Sequence, residues 1–289
     1  MTGDRKAQVD VGGTSTWLLE RVVPLDADSS QWPRTAPLGA GNEARHLRDR
    51  LTHLLRESPG YALIDLSLPD ASDELICRAA WNLLTMLCLP VPQYVTGELF
   101  FPVEAADVQP LHSPFSMSRS EAAFHTDGSF LPAAPEIAAL LSLSSADEGG
   151  ETVIVDGADV LDELCASDAS VAAVLFEEHP IDLRGQTDGD PTRSQPIATR
   201  EGGGRLRLRY VRAYIEQGYD KAGVRMSDQT PVAFDRFDAL AAAEERQISF
   251  LLERGELLVV DNQRYLHGRR AFRETTRRRR LRRVYGVLR

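Results

Sequence analysis

The segment FHTDGSFLPAAPEIAALLSL, residues 124–143, carries the strongest architectural signal in this 289-residue chain. It joins a short mixed stretch, Phe124-His125-Thr126-Asp127, to a continuous apolar run, Ile137–Leu143, through a connection punctuated by Gly128, Pro132 and Pro135. Turn residues between two short segments suit neighbouring strands rather than a helical repeat. In an extended Phe124–Asp127, positions 125 and 127 project to the same face, because side chains alternate along a strand. An imidazole and a carboxylate are thereby presented together.

Outward from this segment the pattern stays short-stranded. Thr152–Val155 is apolar after a Gly149-Gly150 turn, and Arg205–Tyr210 alternates with Leu206 and Leu208 on one face. Glu256–Asp261 and Val284–Leu288 complete the set of expected strands. Upstream, Leu47, Leu51, Leu54 and Leu55 predict a helix over 44–57, and Tyr61–Leu66 reads as a buried strand. A second helix starts after Ser72, a capping residue, and stops at Pro90. A last helix is expected over about 235–254, from Phe237, Ala241, Ile248, Leu251 and Leu252, with Gly255 at its end. Residues 180–204 are rich in Gly, Pro, Asp, Thr and Ser and read as a long lid loop. Many short strands with a few packing helices fit a sandwich or jelly roll, mainly β with flanking helices (α+β). One domain is expected, with 1–95 as a helical and strand packing region and 96–289 as the core.

Charge narrows the partners. The net charge is −10, yet residues 264–289 hold eleven arginines and one acid, Glu274, leaving 22 basic against 42 acidic residues elsewhere. An acidic body argues against nucleic acid or an anionic membrane as partner, and no apolar run approaches membrane-spanning length. The N-terminus lacks an apolar leader, and three cysteines, Cys77, Cys88 and Cys165, can neither pair completely nor form a zinc spacing. A cytoplasmic location is the expectation. A homo-oligomer stays open.

Of six histidines, His46 and His53 fall inside the first helix, and His179 precedes Pro180 at a helix end, where an imidazole meets terminal carbonyls. His112 lies in a loop ahead of the 124–143 segment. His267, in Asp261-Asn262-Gln263-Arg264-Tyr265-Leu266-His267-Gly268-Arg269, follows an expected strand, as a third ligand beside His125 and Asp127 would. Two histidines and one carboxylate compose the facial triad of non-haem Fe(II) oxygenases. An H-x-D with a distant histidine also arises from polar residues beside turns, so context decides. Four elements in order supply it: His125-Thr126-Asp127-Gly128-Ser129-Phe130, Gly149-Gly150-Glu151-Thr152, Asp261-Asn262 leading to His267-Gly268-Arg269 and Phe272, and Arg279-x-x-x-Arg283. Over about residues 95–289 the chain resembles the taurine dioxygenase-like branch of the Fe(II)/2-oxoglutarate-dependent oxygenases, which includes clavaminate synthase.

That resemblance implies a double-stranded β-helix (jelly-roll) core and Fe(II) held by His125, Asp127 and His267. It also implies 2-oxoglutarate as cosubstrate, with O2 as oxidant. Arg279, twelve residues past His267, is implied as anchor of the far 2-oxoglutarate carboxylate, which a planar guanidinium binds bidentately. Arg278 is the reserve within the run 277–280. Thr152 is implied at the same carboxylate, and Arg283 at the cosubstrate or the substrate's acid group. Asp127 stands where related halogenases lack a carboxylate, which favours hydroxylation. For the substrate, a small polar, amino-acid-like biosynthetic intermediate, the expected walls are His112, Ser116, Arg119, Arg209 and Arg212. The arginines 209 and 212 read equally well as an exposed strand face. Desaturation, cyclisation or epoxidation at the same metal site is the alternative chemistry; a non-catalytic metal-binding jelly-roll module is the alternative of another class.

Overall fold

The computed structural model describes residues 8–10, 42–66, 68, 70–94, 97–106, 115–187 and 189–289. The N-terminal part contributes strand β1 (Gln8–Asp10), helix α1 (Asn42–Arg56), strand β2 (Tyr61–Asp65), helix α2 (Asp73–Leu87) and strands β3 (Cys88–Val91) and β4 (Phe101–Glu104). Strands β5 (Ala122–His125), β6 (Ile137–Ser144), β7 (Glu148–Gly149) and β8 (Thr152–Asp156) follow, then helices α3 (Gly157–Ser167) and α4 (Ala169–Val174). Short strands β9 (Glu178–Asp182), β10 (Thr192–Pro196), β11 (Ala198–Arg200) and β12 (Leu206–Leu208) lead to helices α5 (Arg212–Ala222) and α6 (Gln229–Ala241). The chain closes with β13 (Ile248–Phe250), β14 (Glu256–Asp261), β15 (Tyr265–Arg269), β16 (Phe272–Arg273) and β17 (Arg280–Leu288).

Two sheets hold the core. The larger runs β1-β2-β14-β6-β17-β3, with β4 also on β17; the smaller runs β13-β8-β15-β5. Every pair in them is antiparallel except β1 with β2. Between them lies an apolar layer in which Ala138, Leu258, Leu281 and Tyr285 of the large sheet meet Ile154 and Tyr265 of the small one. Helices α1 and α2 cover the outer face of the large sheet through Leu51, Leu55, Ile76, Leu83 and Leu84. The outer face of the small sheet is covered by α3 to α6 through Leu161, Leu164, Phe234 and Phe237. The result is mixed α/β, mostly strands, with helices on both outer faces. Helix α2 begins where Ser72 accepts the Leu75 amide at 3.3 Å, as its sequence predicts. No helix among the described residues is long and apolar enough to cross a membrane.

Two sequence expectations change. The helix expected over 235–254 ends at Ala241, and Ile248–Phe250 instead joins the small sheet as β13, with Ile248 opposite Ile154 and Phe250 opposite Thr152. Ile248, Leu251 and Leu252 mimic a helical stripe, but pairing with β8 satisfies the backbone of 248–250 and places Ile248 and Phe250 against the inter-sheet layer. The expected lid loop is a hairpin of β9 and β10, with Thr192 opposite Asp182 and Gln195 opposite His179. Gly185, Gly189 and Pro191 sit in its turn, where Arg184 and Gly185 have φ of 57° and 67°, whereas Pro180 and Pro196 lie in the strands and Gly202–Gly204 form a separate 3-10 turn before β12. His179 is buried in β9, one ring nitrogen 2.8 Å from the Val174 carbonyl that ends α4 and the other 2.8 Å from the Tyr219 hydroxyl.

Candidate metal centre and its pocket

Register brings the two histidines together. Strand β15 pairs with β5 so that His267 lies opposite His125, with ring centroids 4.4 Å apart. Asp127 follows β5 in a turn tied to the β14–β15 connection by Asn262. The Asn262 side chain accepts the Asp127 amide at 2.8 Å and donates to the carbonyls of Asp127 and Pro135 at 3.0 Å each. His125, Asp127 and His267 each offer a ligand atom, all within 4.8 Å of one another. His125 Nδ1 is 2.8 Å from the Ala123 carbonyl; a carbonyl only accepts, so Nδ1 carries the proton and Nε2 keeps its lone pair.

The carboxylate is asymmetric. Asp127 Oδ1 accepts from Arg283 Nη1 at 2.8 Å and from the Tyr285 hydroxyl at 2.7 Å. Asp127 Oδ2 is buried without a hydrogen-bond partner and lies 3.3 Å from His267 Nε2. A buried carboxylate oxygen left bare beside two imidazoles is a donor set that fits Fe(II). Burial alone would raise the Asp127 carboxyl, but the Arg283 guanidinium and His267 outweigh it and hold it well below the usual carboxylate range. Burial, helped by His267, pulls His125 down from 6.5 to about 4, so its ring is neutral and available at neutral pH.

A pH dependence of the metal-free protein follows. Between pH 6.5 and 4 the unfolded chain protonates His125 and the folded chain does not, so stability is full above 6.5 and falls as pH drops through this window. The loss reaches about 3 kcal/mol, and Asp127 adds a further loss below the ordinary carboxylate range. Urea unfolding of metal-free protein at several pH values should show this slope, and a His125→Gln variant should lack its upper part.

The pocket opens between the two sheets, lined by Val103, Leu140, Arg283 and Tyr285 from the large one, by Ala122, His125, Thr152, His267 and Arg269 from the small one, and by Arg279 from the loop just before β17. One end is strongly cationic. Arg279 is 6% exposed, donates from Nε to the Gly150 carbonyl at 3.2 Å, and has no carboxylate in ion-pair reach among the described residues. Burial, helped by repulsion from Arg269, pulls its guanidinium down to about 9. Both guanidiniums lie on the Phe272 ring, Arg269 at 4.9 Å and Arg279 at 5.5 Å from its centroid. Thr152 faces Arg269 across β8 and β15. A buried Arg279 with no carboxylate in ion-pair reach among the described residues suits a bound carboxylate.

Local chemistry holds the Arg279 loop. Asp147 accepts from the amides of Thr275, Thr276 and Arg277 and from both threonine hydroxyls, and Glu274 accepts the Arg279 amide at 2.8 Å. Gly149, at φ 69°, lets the Ala271 carbonyl approach to where a Cβ would be 2.2 Å away. That explains the Gly149-Gly150 pair before Thr152. The opposite end of the pocket is aromatic: Phe130 lies 6.1 Å from both Tyr94 and Tyr214, centroid to centroid. The lid residues Ile181 and Leu183 pack on this group.

The remaining sequence candidates divide. Ser116 lines the pocket, its Oγ buried with no hydrogen-bond partner. Arg119 pairs with Glu274 at 2.8 Å and buttresses the Arg279 loop. Arg209 donates to the Ser129 carbonyl at 2.8 Å and to the Leu131 carbonyl, while Arg193 of the lid donates to Leu131 at 2.8 Å and to Phe130 at 3.2 Å. Arg212 is committed to Glu216, Asp235 and Asp238. None of these three arginines lines the pocket, so the substrate-wall expectation for Arg119, Arg209 and Arg212 is corrected: carboxylates or backbone carbonyls already engage them. Arg278 is absent from the lining and Arg279 is present. Arg283 lines the pocket, but its charge faces Asp127. His112 lies outside the described residues. Sequence reading gave no site role to Gln93, Tyr94, Phe130, Tyr214, Arg269 or Tyr285; Phe130 and Arg269 stand within the quoted motifs, Tyr285 has same-face spacing from Arg283, and the other three carry no local signal.

The family model described as Taurine catabolism dioxygenase TauD, TfdA family matches residues 38–285. FR-33289 synthase of Streptomyces rubellomurinus (strain ATCC 31215) is 28% identical over 141 residues, 48% of this chain and 42% of that protein, so the match spans less than half of the relative. Asparagine oxygenase in complex with Fe(II), 2S,3S-3-hydroxyasparagine and succinate has a TM-score of 0.73 at 19% identity, covering 98% of this chain and 94% of that one. The non-heme iron oxygenase OrfP in complex with Fe and alpha-ketoglutaric acid has a TM-score of 0.62 at 18% identity, covering 84% and 80%. At these identities both structural likenesses concern the fold.

Proposed function

We propose, for a chain that belongs to the taurine catabolism dioxygenase TauD, TfdA family and is an iron- and 2-oxoglutarate-dependent dioxygenase, that it hydroxylates an unactivated C–H of a small polar, amino-acid-like biosynthetic intermediate. The observation that carries this reading is one pocket holding a bare His-His-Asp donor set at its centre and a carboxylate-free arginine at one end. The two facing sheets are read as the halves of a double-stranded β-helix, or jelly roll. The amino-acid-like substrate is supported by the hydroxyasparagine held by asparagine oxygenase. A cytoplasmic enzyme acting on a small molecule agrees with three free cysteines, two of them buried.

His125 through Nε2, Asp127 through Oδ2, and His267 would hold the iron; Arg279 and Thr152 would hold the far carboxylate of 2-oxoglutarate. When bound, iron, 2-oxoglutarate and O2 supply the oxidising power to break a C–H bond, with succinate and CO2 as coproducts. The protein's own part is placement and exclusion. Asn262 fixes the turn that carries Asp127, and the Ala123 carbonyl fixes the His125 tautomer. Phe130, Tyr94 and Tyr214 form an apolar wall that keeps water from the end of the pocket left for substrate.

The test is an anaerobic titration of metal-free protein with Fe(II) and then 2-oxoglutarate, followed by an aerobic screen of polar amino-acid-like compounds for substrate-dependent succinate. A visible charge-transfer band and a product heavier by one oxygen atom are expected. A product lacking two hydrogens would move the reaction to desaturation. No band in folded protein that binds Fe(II) would remove the cosubstrate from the reading.

A further inference from the structure

We propose that Tyr285 and Arg283 form a two-donor clamp that makes Asp127 a one-oxygen metal ligand; Tyr285 is thereby a positioning residue of the metal centre. The inference rests on the iron-centre reading above. It starts from strand geometry: Leu281, Arg283 and Tyr285 alternate along β17 toward the small sheet, and the last two end on one atom, Asp127 Oδ1, at 2.8 and 2.7 Å. Arg283, Tyr285 and Asp127 are all buried, at 8%, 2% and 4% exposure.

The clamp is itself held. Arg283 Nε donates to Gln93 Oε1 at 2.8 Å, Gln93 Nε2 donates back to the Arg283 carbonyl at 2.7 Å, and Arg283 Nη2 reaches the Tyr94 hydroxyl at 3.3 Å. The guanidinium therefore has little freedom to leave Asp127 for a ligand. Two strong donors saturate Oδ1, while Oδ2 has none and faces the His267 imidazole at 3.3 Å.

A free aspartate can offer a divalent cation either one oxygen or both. Here the second oxygen is occupied, so the carboxylate fills one coordination position and leaves the remainder for cosubstrate and oxidant. The Tyr285 hydroxyl adds directional control that the charge of Arg283 alone does not give. This also explains why Arg283 is a poor candidate for holding 2-oxoglutarate: its charge is already answered.

Tyr285→Phe removes one hydroxyl and preserves the buried ring. Metal-free wild type and variant are titrated with Co(II), following its visible spectrum and the rise in melting temperature on metal addition. Removing such a supporting hydrogen bond is expected to weaken Co(II) binding by about 10- to 100-fold and to change the shape of the Co(II) spectrum, because Oδ1 loses one of its two donors and the carboxylate is held less firmly in its one-oxygen orientation. The melting temperature of the metal-free protein should stay near wild type, Arg283 still answering the carboxylate. Arg283→Lys, which keeps the charge but loses the fork, should change the spectrum in the same sense. A Tyr285→Phe protein with wild-type Co(II) affinity and spectrum overturns the clamp, whatever its stability. A wild type that binds no Co(II) overturns the metal centre and the clamp together, a failure visible before any variant is compared.

Discussion

Replacing His267 with alanine is expected to reduce substrate-dependent 2-oxoglutarate consumption to background while the chain stays folded. His267 lies opposite His125 in the β15–β5 register and 3.3 Å from the bare oxygen of Asp127. Without it, one imidazole and one carboxylate remain, too few donors to keep Fe(II) in a site with open positions. The loss falls on function rather than fold because the imidazole gives the fold little: its Nδ1 has no hydrogen-bond partner to lose, and its ring contact is with the other imidazole, His125, 4.4 Å away. Removing it should change metal-free stability by no more than about 1–2 kcal/mol. Chemical denaturation of the metal-free variant beside a succinate assay checks both halves. Retained turnover would show that the metal is held elsewhere.

Arg279→Gln should weaken 2-oxoglutarate binding severely and at the same time fail to destabilise the metal-free protein. A buried cation that loses its bound carboxylate partner typically costs 2–5 kcal/mol of binding, which is roughly 30- to 4,000-fold in affinity at 1.4 kcal/mol per tenfold. The stability half follows from the sign of the shift. Burial pulls the Arg279 guanidinium down to about 9, so the folded chain holds this charge less readily than the unfolded chain at any pH below that value. An unmatched buried charge opposes folding, and neutralising it should leave the melting temperature unchanged or higher. The charge-transfer titration reads the first effect and thermal unfolding without metal reads the second. A variant that bound 2-oxoglutarate normally would return the choice to Arg278 or Arg269.

What the sequence makes legible here is local or periodic. Alternation predicts His125 and Asp127 on one face; they do meet, but because Asp127 stands in a turn past the end of β5 that Asn262 holds, whereas the packing helix α2 announces itself by Ser72 and its apolar stripe. Asn262 reads as part of a motif, but its three bonds to the Asp127 turn and Pro135 exist only in the folded chain. Gln93 is further out of reach: it meets Arg283 across 190 positions, and nothing in the local pattern of either residue signals the pairing. Arg119, Arg209 and Arg212 misled because arginine near a motif suggests an anion, whereas folding supplies Glu274, backbone carbonyls and Asp238 instead. The 248–254 stretch misled for another reason: its apolar spacing satisfies a helix and an alternating strand alike over so few residues, and the open edge of β8 decided between them.

The polar ties between the lid and the metal loop end on main-chain oxygens of residues 129–131, to which Arg193 and Gln195 of the lid and Arg209 beyond it all donate, while Ile181 and Leu183 of the lid pack on the Phe130 side chain. Carbonyl oxygens are the same whatever amino acid bears them. The polar part of this seam is thus written in backbone and tolerates change in the side chains that bear those oxygens, while its apolar part depends on Phe130. A lineage could exchange lid sequences while inheriting the turn that carries Asp127 intact, so long as Arg193, Gln195 and an apolar partner for Phe130 were carried along.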